Sequence, residues 1–221
     1  MELRVAADAR GAAAEAATWV ASQLRNAVHR RGRASMAVSG GTTPAAMFAA
    51  LAEADVPWRK VTVFQVDERV APDGDPARNA ALLALLPSAA TLVPMDVTAA
   101  DLGAAARQYA ERLPDQFDLV HLGLGDDGHT ASWPPGDPVV RSTARVDLSE
   151  RYRGHVRMTL TPRTVNGARH RLVLAAGADK SSPLERWLLE AADLPVNRVR
   201  SSGTVVVVDA AAAARLPGLG G

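Results

Sequence analysis

The chain contains no cysteine among its 221 residues. Disulfides, thiolate nucleophiles and Cys-ligated zinc or iron–sulfur centres are therefore excluded. Aromatic residues make up only 4%. Together with the abundance of alanine and of arginine over lysine, this reflects genome composition and helix-rich packing, and says little about function. Neither sign of charge dominates: 25 Lys+Arg face 24 Asp+Glu, a formal net charge of +1. That balance argues against a nucleic-acid partner, which normally calls for a basic surplus. No apolar run approaches the roughly 20 residues of a membrane-spanning helix. Met1-Glu2-Leu3-Arg4-Val5 has an acid near its start and no apolar stretch of a secretory signal, so a cytoplasmic location is expected.

What is present is ordinary globular composition, 48% hydrophobic and 22% charged. Such a length holds one large α/β domain or two small ones. With no internal repeat and no Pro/Ser-rich linker, a single domain over 1–221 is expected. Short β-branched runs alternate with longer Ala-rich stretches, the pattern of an α/β fold. Strands are predicted at Ala34–Val38, Val61–Val66, Phe117–Leu122, Val156–Leu160, Arg171–Ala176 and Val205–Val208. Helices are predicted at Ala9–His29, from about Thr43 to Ala54, at Ala77–Leu86, Ala99–Leu113 and Ser182–Ala192, with a fraying tail from Leu216. The expected architecture is an open, mostly parallel, doubly wound, Rossmann-like sheet with helices on both faces.

Several polar clusters fall just after predicted strands, where open α/β sheets bind ligands. In Ser39-Gly40-Gly41-Thr42-Thr43-Pro44, glycines permit close backbone approach, a threonine can cap the next helix, and the helix start offers N–H groups to an anion. A plain strand–helix turn explains this segment equally well. Val66-Asp67-Glu68-Arg69, with Asn79 ten residues beyond Arg69, reads by itself as a surface ion pair. Facing the same crevice, Arg69 becomes a phosphate fork and Asp67 a proton donor or acceptor. Arg157 and Lys180 each lie in or just past a strand. Individually they are ordinary solvated charges; together with Arg69 they supply fixed positive charge to an anionic substrate.

Gly123-Leu124-Gly125-Asp126-Asp127-Gly128-His129 formally matches the dinucleotide fingerprint, with Asp147 near the ribose-acid spacing. Two acids would occupy the pyrophosphate position, however, and Trp133-Pro134-Pro135 stops any helix at once. The loop instead holds His129 beside Asp127. A histidine oriented by a carboxylate is a general base, with an ordinary pKa of about 6.5. None of the five histidines forms a zinc-type pair, so no metal and no cofactor are expected.

These motifs, together with Thr130-Ala131-Ser132, Arg157-x-Thr159-x-Thr161 and Gly177-x-x-Lys180, resemble in sequence order those of the 6-phosphogluconolactonase family. The resemblance runs from about residue 3 to about residue 209. It implies metal-free hydrolysis of 6-phospho-D-glucono-1,5-lactone, with the 6-phosphate on Gly40, Gly41 and Thr42, helped by Arg69 and Lys180. His129, oriented by Asp127, would activate water; Arg157 or loop amides would face the oxyanion; Asp67 would orient hydroxyls or relay a proton. A phosphorylated sugar lactone is then the partner, and the chain a monomer or weak homodimer. Glucosamine-6-phosphate deaminase shares the fold, but typically has tyrosine where this chain has Arg69 and a catalytic glutamate where it has Pro134. The alternatives are such an isomerase or deaminase, or a non-catalytic sugar-phosphate sensor. One departure is that the family's Leu-Phe-Pro-Gly stretch is replaced by Trp133-Pro134-Pro135-Gly136.

Overall fold

The computed structural model describes residues 1–190 and 193–217, with the side chain of Thr42 outside the described set. The chain opens with strand β1 (Glu2–Ala6), helix α1 (Ala9–Arg31), β2 (Ala34–Val38) and α2 (Thr42–Ala52). It continues through β3 (Val61–Gln65), β4 (Asp67–Arg69), the short α3 (Ala80–Leu83), β5 (Thr91–Val93) and α4 (Leu102–Arg112). Next come β6 (Leu119–Gly123), β7 (Val146–Tyr152), β8 (His155–Leu160) and α5 (Pro162–Gly167). The last elements are β9 (His170–Ala175), α6 (Ser181–Leu188), β10 (Thr204–Asp209) and α7 (Ala210–Ala213).

Seven strands form the main sheet in the order β1-β10-β9-β6-β2-β3-β5. Every neighbouring pair is parallel. Parallel strands are covered on both faces, and successive side chains alternate between them. Met36, Val38, Leu119, Leu172, Leu174, Val205 and Val207 pack on one side with α1 and α2. Ala37, Val120, Leu122, Val173, Val206 and Val208 pack on the other with α4, α6 and α7. The expected doubly wound sheet is therefore the one observed.

Local chemistry sets the helix ends. Asp8 caps α1 by accepting from Gly11 N at 2.7 Å, and Gly32 closes it in the left-handed region at φ 73°. Asp101 caps α4 through Ala104 N. The alanines on the inner face of α1 (Ala12, Ala13, Ala16, Ala17) are fully buried, which allows close packing.

Four points differ from the sequence expectation. The helix predicted over Ala77–Leu86 contracts to Ala80–Leu83, because the preceding Asp73–Ala77 segment turns and Ala77 N is held by Asp75. The predicted end of the last long helix at Ala192 lies outside the described residues, and α6 itself stops at Leu188. Asp67–Arg69 is itself a strand rather than a loop after one. With β8 and β7 it builds a separate three-stranded antiparallel sheet in the order β4-β8-β7. Strands β1, β5 and β7 were not anticipated.

The sheet order reverses between β2 and β6, which are neighbours. The chain leaves β2 toward β3 on one side, while β6 lies beside β9 on the other. The crevice at such a switch point is where parallel α/β sheets bind ligands.

Candidate active site

A cleft of about 430 Å³ opens at the carboxyl ends of β2 and β6, a volume within the usual range of small-molecule sites. Ser39, Gly40 and Gly41, Asp67 and Arg69, His129, Arg157 and Lys180 all line it. The segments anticipated as separate polar clusters therefore converge on one place.

Gly41 takes the cap position of α2, with φ 124° and no side-chain cap hydrogen bond. This corrects the expectation of a threonine cap. Among the described residues no side chain caps the amides of this first turn beside the cleft. The Thr42 side chain lies outside the described residues. Gly40 is required by a neighbour: a Cβ there would fall 1.9 Å from Asn79 Oδ1.

Asn79 is held in turn by Glu68, which is fully buried. Glu68 accepts from Asn79 N at 2.7 Å, Ala80 N at 2.8 Å, Arg69 N at 2.8 Å and Gln65 Nε2 at 2.8 Å. It also pairs with Arg78 at 3.2 Å. Asn79 Oδ1 then accepts from Arg69 Nη1 at 2.8 Å. Glu68, read from sequence as part of a surface triplet, is the anchor of this side of the cleft.

Because β4 and β8 are antiparallel with Arg69 opposite Arg157 and Asp67 opposite Thr159, both arginines and Asp67 share one face. Arg157 is buried, and among the described residues its Nε and that of Arg69 have no hydrogen-bond partner. Burial, then the nearby Arg69, lowers the pKa of Arg157. Two like charges held side by side toward a cleft are costly without an anion between them. Asp67 Oδ2 accepts from Ser132 Oγ at 2.6 Å. Burial pushes the Asp67 carboxyl up, against the lowering pull of Ser132, Arg69 and Arg157.

The loop after β6 is a tight turn. Gly128 N donates to Gly125 O at 3.0 Å, and Gly125 N donates to His129 O at 2.7 Å. A Cβ on Gly125 would sit 2.0 Å from His129 Nδ1. Gly128, at φ 83°, packs its bare Cα against Leu194. No helix follows, in agreement with rejection of the dinucleotide fingerprint.

His129 Nδ1 lies 2.6 Å from Asp127 Oδ1, which makes Asp127 its partner and Asp67 not. The other carboxylate oxygen accepts from Tyr152 Oη at 2.5 Å. Burial raises the Asp127 pKa, but the Tyr152 hydroxyl, the His129 amide and the His129 ring outweigh it and bring it down to about 2. An ionised carboxylate only accepts, so Nδ1 carries a proton, and in the neutral ring Nε2 is the nitrogen that holds the lone pair. Lys180 pairs with Asp179 at 2.7 Å at the rim.

Sequence reasoning gave no role to Tyr152, Arg153, Asn79 or Ser132. Asn79 and Ser132 stood in recognised motifs; Tyr152 and Arg153 carried no local signal. His121 lies on β6 close in sequence to the loop, but points to the α1/α2 side against Phe48. Burial lowers its imidazole to about 3. Asp126, Asp127 and His129 place one donor atom each within 4.8 Å of one another, the only such cluster among the described residues. Arg153 holds one oxygen of Asp126 at 2.5 Å, and the His129 ring and Tyr152 hold both oxygens of Asp127, so a metal on Asp127 would compete with these partners.

Residues 7–208 match the family model described as glucosamine-6-phosphate isomerases/6-phosphogluconolactonase. The chain belongs to this family. A 6-phosphogluconolactonase of Synechocystis sp. is 34% identical over 207 residues, covering 85% of this chain and 86% of that one. One from Pseudomonas aeruginosa is 34% identical over 204 residues, covering 83% and 82%. The crystal structure of a 6-phosphogluconolactonase from Shewanella baltica superposes with a TM-score of 0.86 at 27% identity, covering 95% of this chain and 97% of that one.

Proposed function

We infer that the chain hydrolyses 6-phospho-D-glucono-1,5-lactone to 6-phospho-D-gluconate, the lactone-opening step of the oxidative pentose phosphate pathway. The family membership supports the substrate class. A histidine–aspartate pair opening onto an arginine-lined cleft of small-molecule size carries the inference.

The 6-phosphate sits at the start of α2 beside Gly40 and Gly41, with Arg69 and Lys180 supplying charge. His129 Nε2 takes a proton from water while the water oxygen attacks C1 of the lactone. The tetrahedral intermediate collapses with cleavage of the bond from C1 to the ring oxygen. The proton passes from the imidazolium to that oxygen. Asp67, with its raised pKa, is suited to relaying this proton, or orients the sugar hydroxyls. Arg157, whose Nε has no hydrogen-bond partner among the described residues, faces the developing oxyanion, or loop amides do.

The test is lactone hydrolysis by purified protein, with the lactone generated in situ by glucose-6-phosphate dehydrogenase and the spontaneous rate subtracted. Turnover is expected to persist in a chelator. No turnover above background, or ammonia release from glucosamine 6-phosphate, would overturn the assignment. Arg69→Ala and Lys180→Ala are expected to raise KM about tenfold or more with a smaller change in kcat. A selective loss of kcat would move both residues away from the phosphate.

Gly125→Ala adds a methyl where the His129 ring now lies. The imidazole must shift by about 1 Å, a displacement worth roughly 10²-fold in rate. The same assay should show that loss in kcat while the thermal midpoint changes little. Retained kcat would show that the ring position is not critical.

A further inference from the structure

The β7–β8 hairpin carries Tyr152, Arg153 and Arg157 over the histidine loop. Tyr152 Oη donates to Asp127 Oδ2 at 2.5 Å, while Asp127 Oδ1 accepts from His129 Nδ1 at 2.6 Å. The Tyr152 ring meets the His129 ring edge-on, with centroids 5.5 Å apart. Two guanidinium groups lie over the Tyr152 ring, Arg153 at 5.1 Å and Arg157 at 5.2 Å. Arg153 also reaches Asp126, so the hairpin is tied to the loop at two adjacent carboxylates. The tyrosine is thus fixed by cations and in turn fixes the carboxylate.

We propose that Tyr152 is a positioning residue for the reaction: its hydroxyl pins one oxygen of Asp127, so that the other holds His129 Nδ1 and turns Nε2 toward the attacking water. A carboxylate bonded only to the imidazole would be free to swing about its own Cβ–Cγ bond. Bonded on both oxygens it has one orientation, and the imidazole inherits it. The charged and titratable groups facing this unit are Asp126 and His129 on the loop, Arg153 on the hairpin and Arg157 on β8. The hydroxyl remains a donor across the working range, because burial and then Asp127 push the tyrosine up to about 12.

A second consequence follows from charge. Sharing the Asp127 charge with a hydroxyl weakens the pull of the carboxylate on the imidazole proton. Removing the hydroxyl concentrates that charge on the His129 side and makes the pair harder to deprotonate.

The proposal rests on His129 being the base, and the experiment separates the two. Tyr152→Phe keeps the ring with its arginine and histidine contacts and deletes one oxygen. In lactone hydrolysis it is expected to lower kcat about tenfold with KM nearly unchanged. The acidic limb of the kcat/KM profile should move up by about 0.5–1 pH unit. In an Asp127→Asn background the same change should add little further loss, as expected of groups acting as one unit. A folded Tyr152→Phe protein whose acidic limb stays in place, whatever its kcat, overturns the positioning role. Full activity in His129→Ala would instead overturn the base assignment beneath it.

Discussion

Replacing His129 with alanine is expected to lower kcat for lactone hydrolysis by about 10²–10⁴-fold, the usual contribution of a positioned general base. The expectation follows from the ring's geometry. Nδ1 is engaged by an ionised Asp127 and Nε2 is the remaining nitrogen on a cleft-lining residue. KM should stay within a few-fold, because the phosphate contacts proposed at Gly40, Gly41, Arg69 and Lys180 are untouched. The measurement is the in situ lactone assay, with folding checked by thermal denaturation. Since the lactone also opens spontaneously, the mutant must be compared with a no-enzyme blank. A variant that keeps the parent kcat would mean that water is activated elsewhere, and Asp67 would be the next group to test.

The second large effect concerns stability. Glu68→Ala removes the carboxylate that accepts four hydrogen bonds and pairs with Arg78. The guanidinium of Arg78 is itself nearly buried, at 9% exposure, and would be left with the exposed Asp73, 3.1 Å from its Nη1, as counter-charge. Breaking one partner out of a buried ion pair costs about 3–5 kcal/mol. For a chain of this size each kcal/mol lowers the thermal midpoint by about 2–4 °C, so a drop of roughly 10 °C is expected. Calorimetry or circular dichroism melting would read it directly. A midpoint within about 2 °C of the parent would show that water replaces the carboxylate adequately. Because Glu68 also seats Asn79 against Arg69, the surviving folded fraction should bind substrate more weakly.

Much of the fold was legible because the central strands are uniform in chemistry. Ala34–Val38 and Val205–Val208 are short apolar runs, the signature of strands buried on both faces, and each is bounded by polar or turn residues. The elements that escaped are those whose residues say something else. Strand β1, Glu2-Leu3-Arg4-Val5-Ala6, sits at a sheet edge and carries the charged Glu2 and Arg4. Strand β4 is Asp-Glu-Arg, a composition that reads as loop; only pairing with β8 makes it a strand. Strand β7, with its Asp, Glu and Arg, is similarly half exposed.

The site divides in the same way. Asp127 and His129 are two residues apart and bracketed by glycines, so their partnership is written locally. That Asp67 is not a second partner was not legible in sequence; the structure shows His129 Nδ1 against Asp127 and Asp67 engaged by Ser132. Tyr152 lies in a different supersecondary unit from His129. No spacing rule connects them, and the contact exists only because the hairpin folds across the loop. The anchoring role of Glu68 was hidden for a related reason: burial of a carboxylate is a property of the surrounding tertiary structure, and adjacent residues do not reveal it.

The pairing of β1 with β10 has a consequence for how the chain reaches this state. Glu2 is aligned with Val205 and Ala6 with Asp209, so β1 must await a strand that follows it by about 200 residues. Strands β2, β3, β5 and β6 are all contained within residues 34–123 and can find one another early. The half of the sheet beyond β6 closes only when β9 and β10 arrive. Such long-range parallel pairing makes for slow folding and a period in which apolar strand edges stand exposed. During that interval α1 can rest on β2 and β6 but not on β10, against which it also packs in the finished molecule. Synthesis rate and chaperone access at this stage therefore bear on the yield of folded protein.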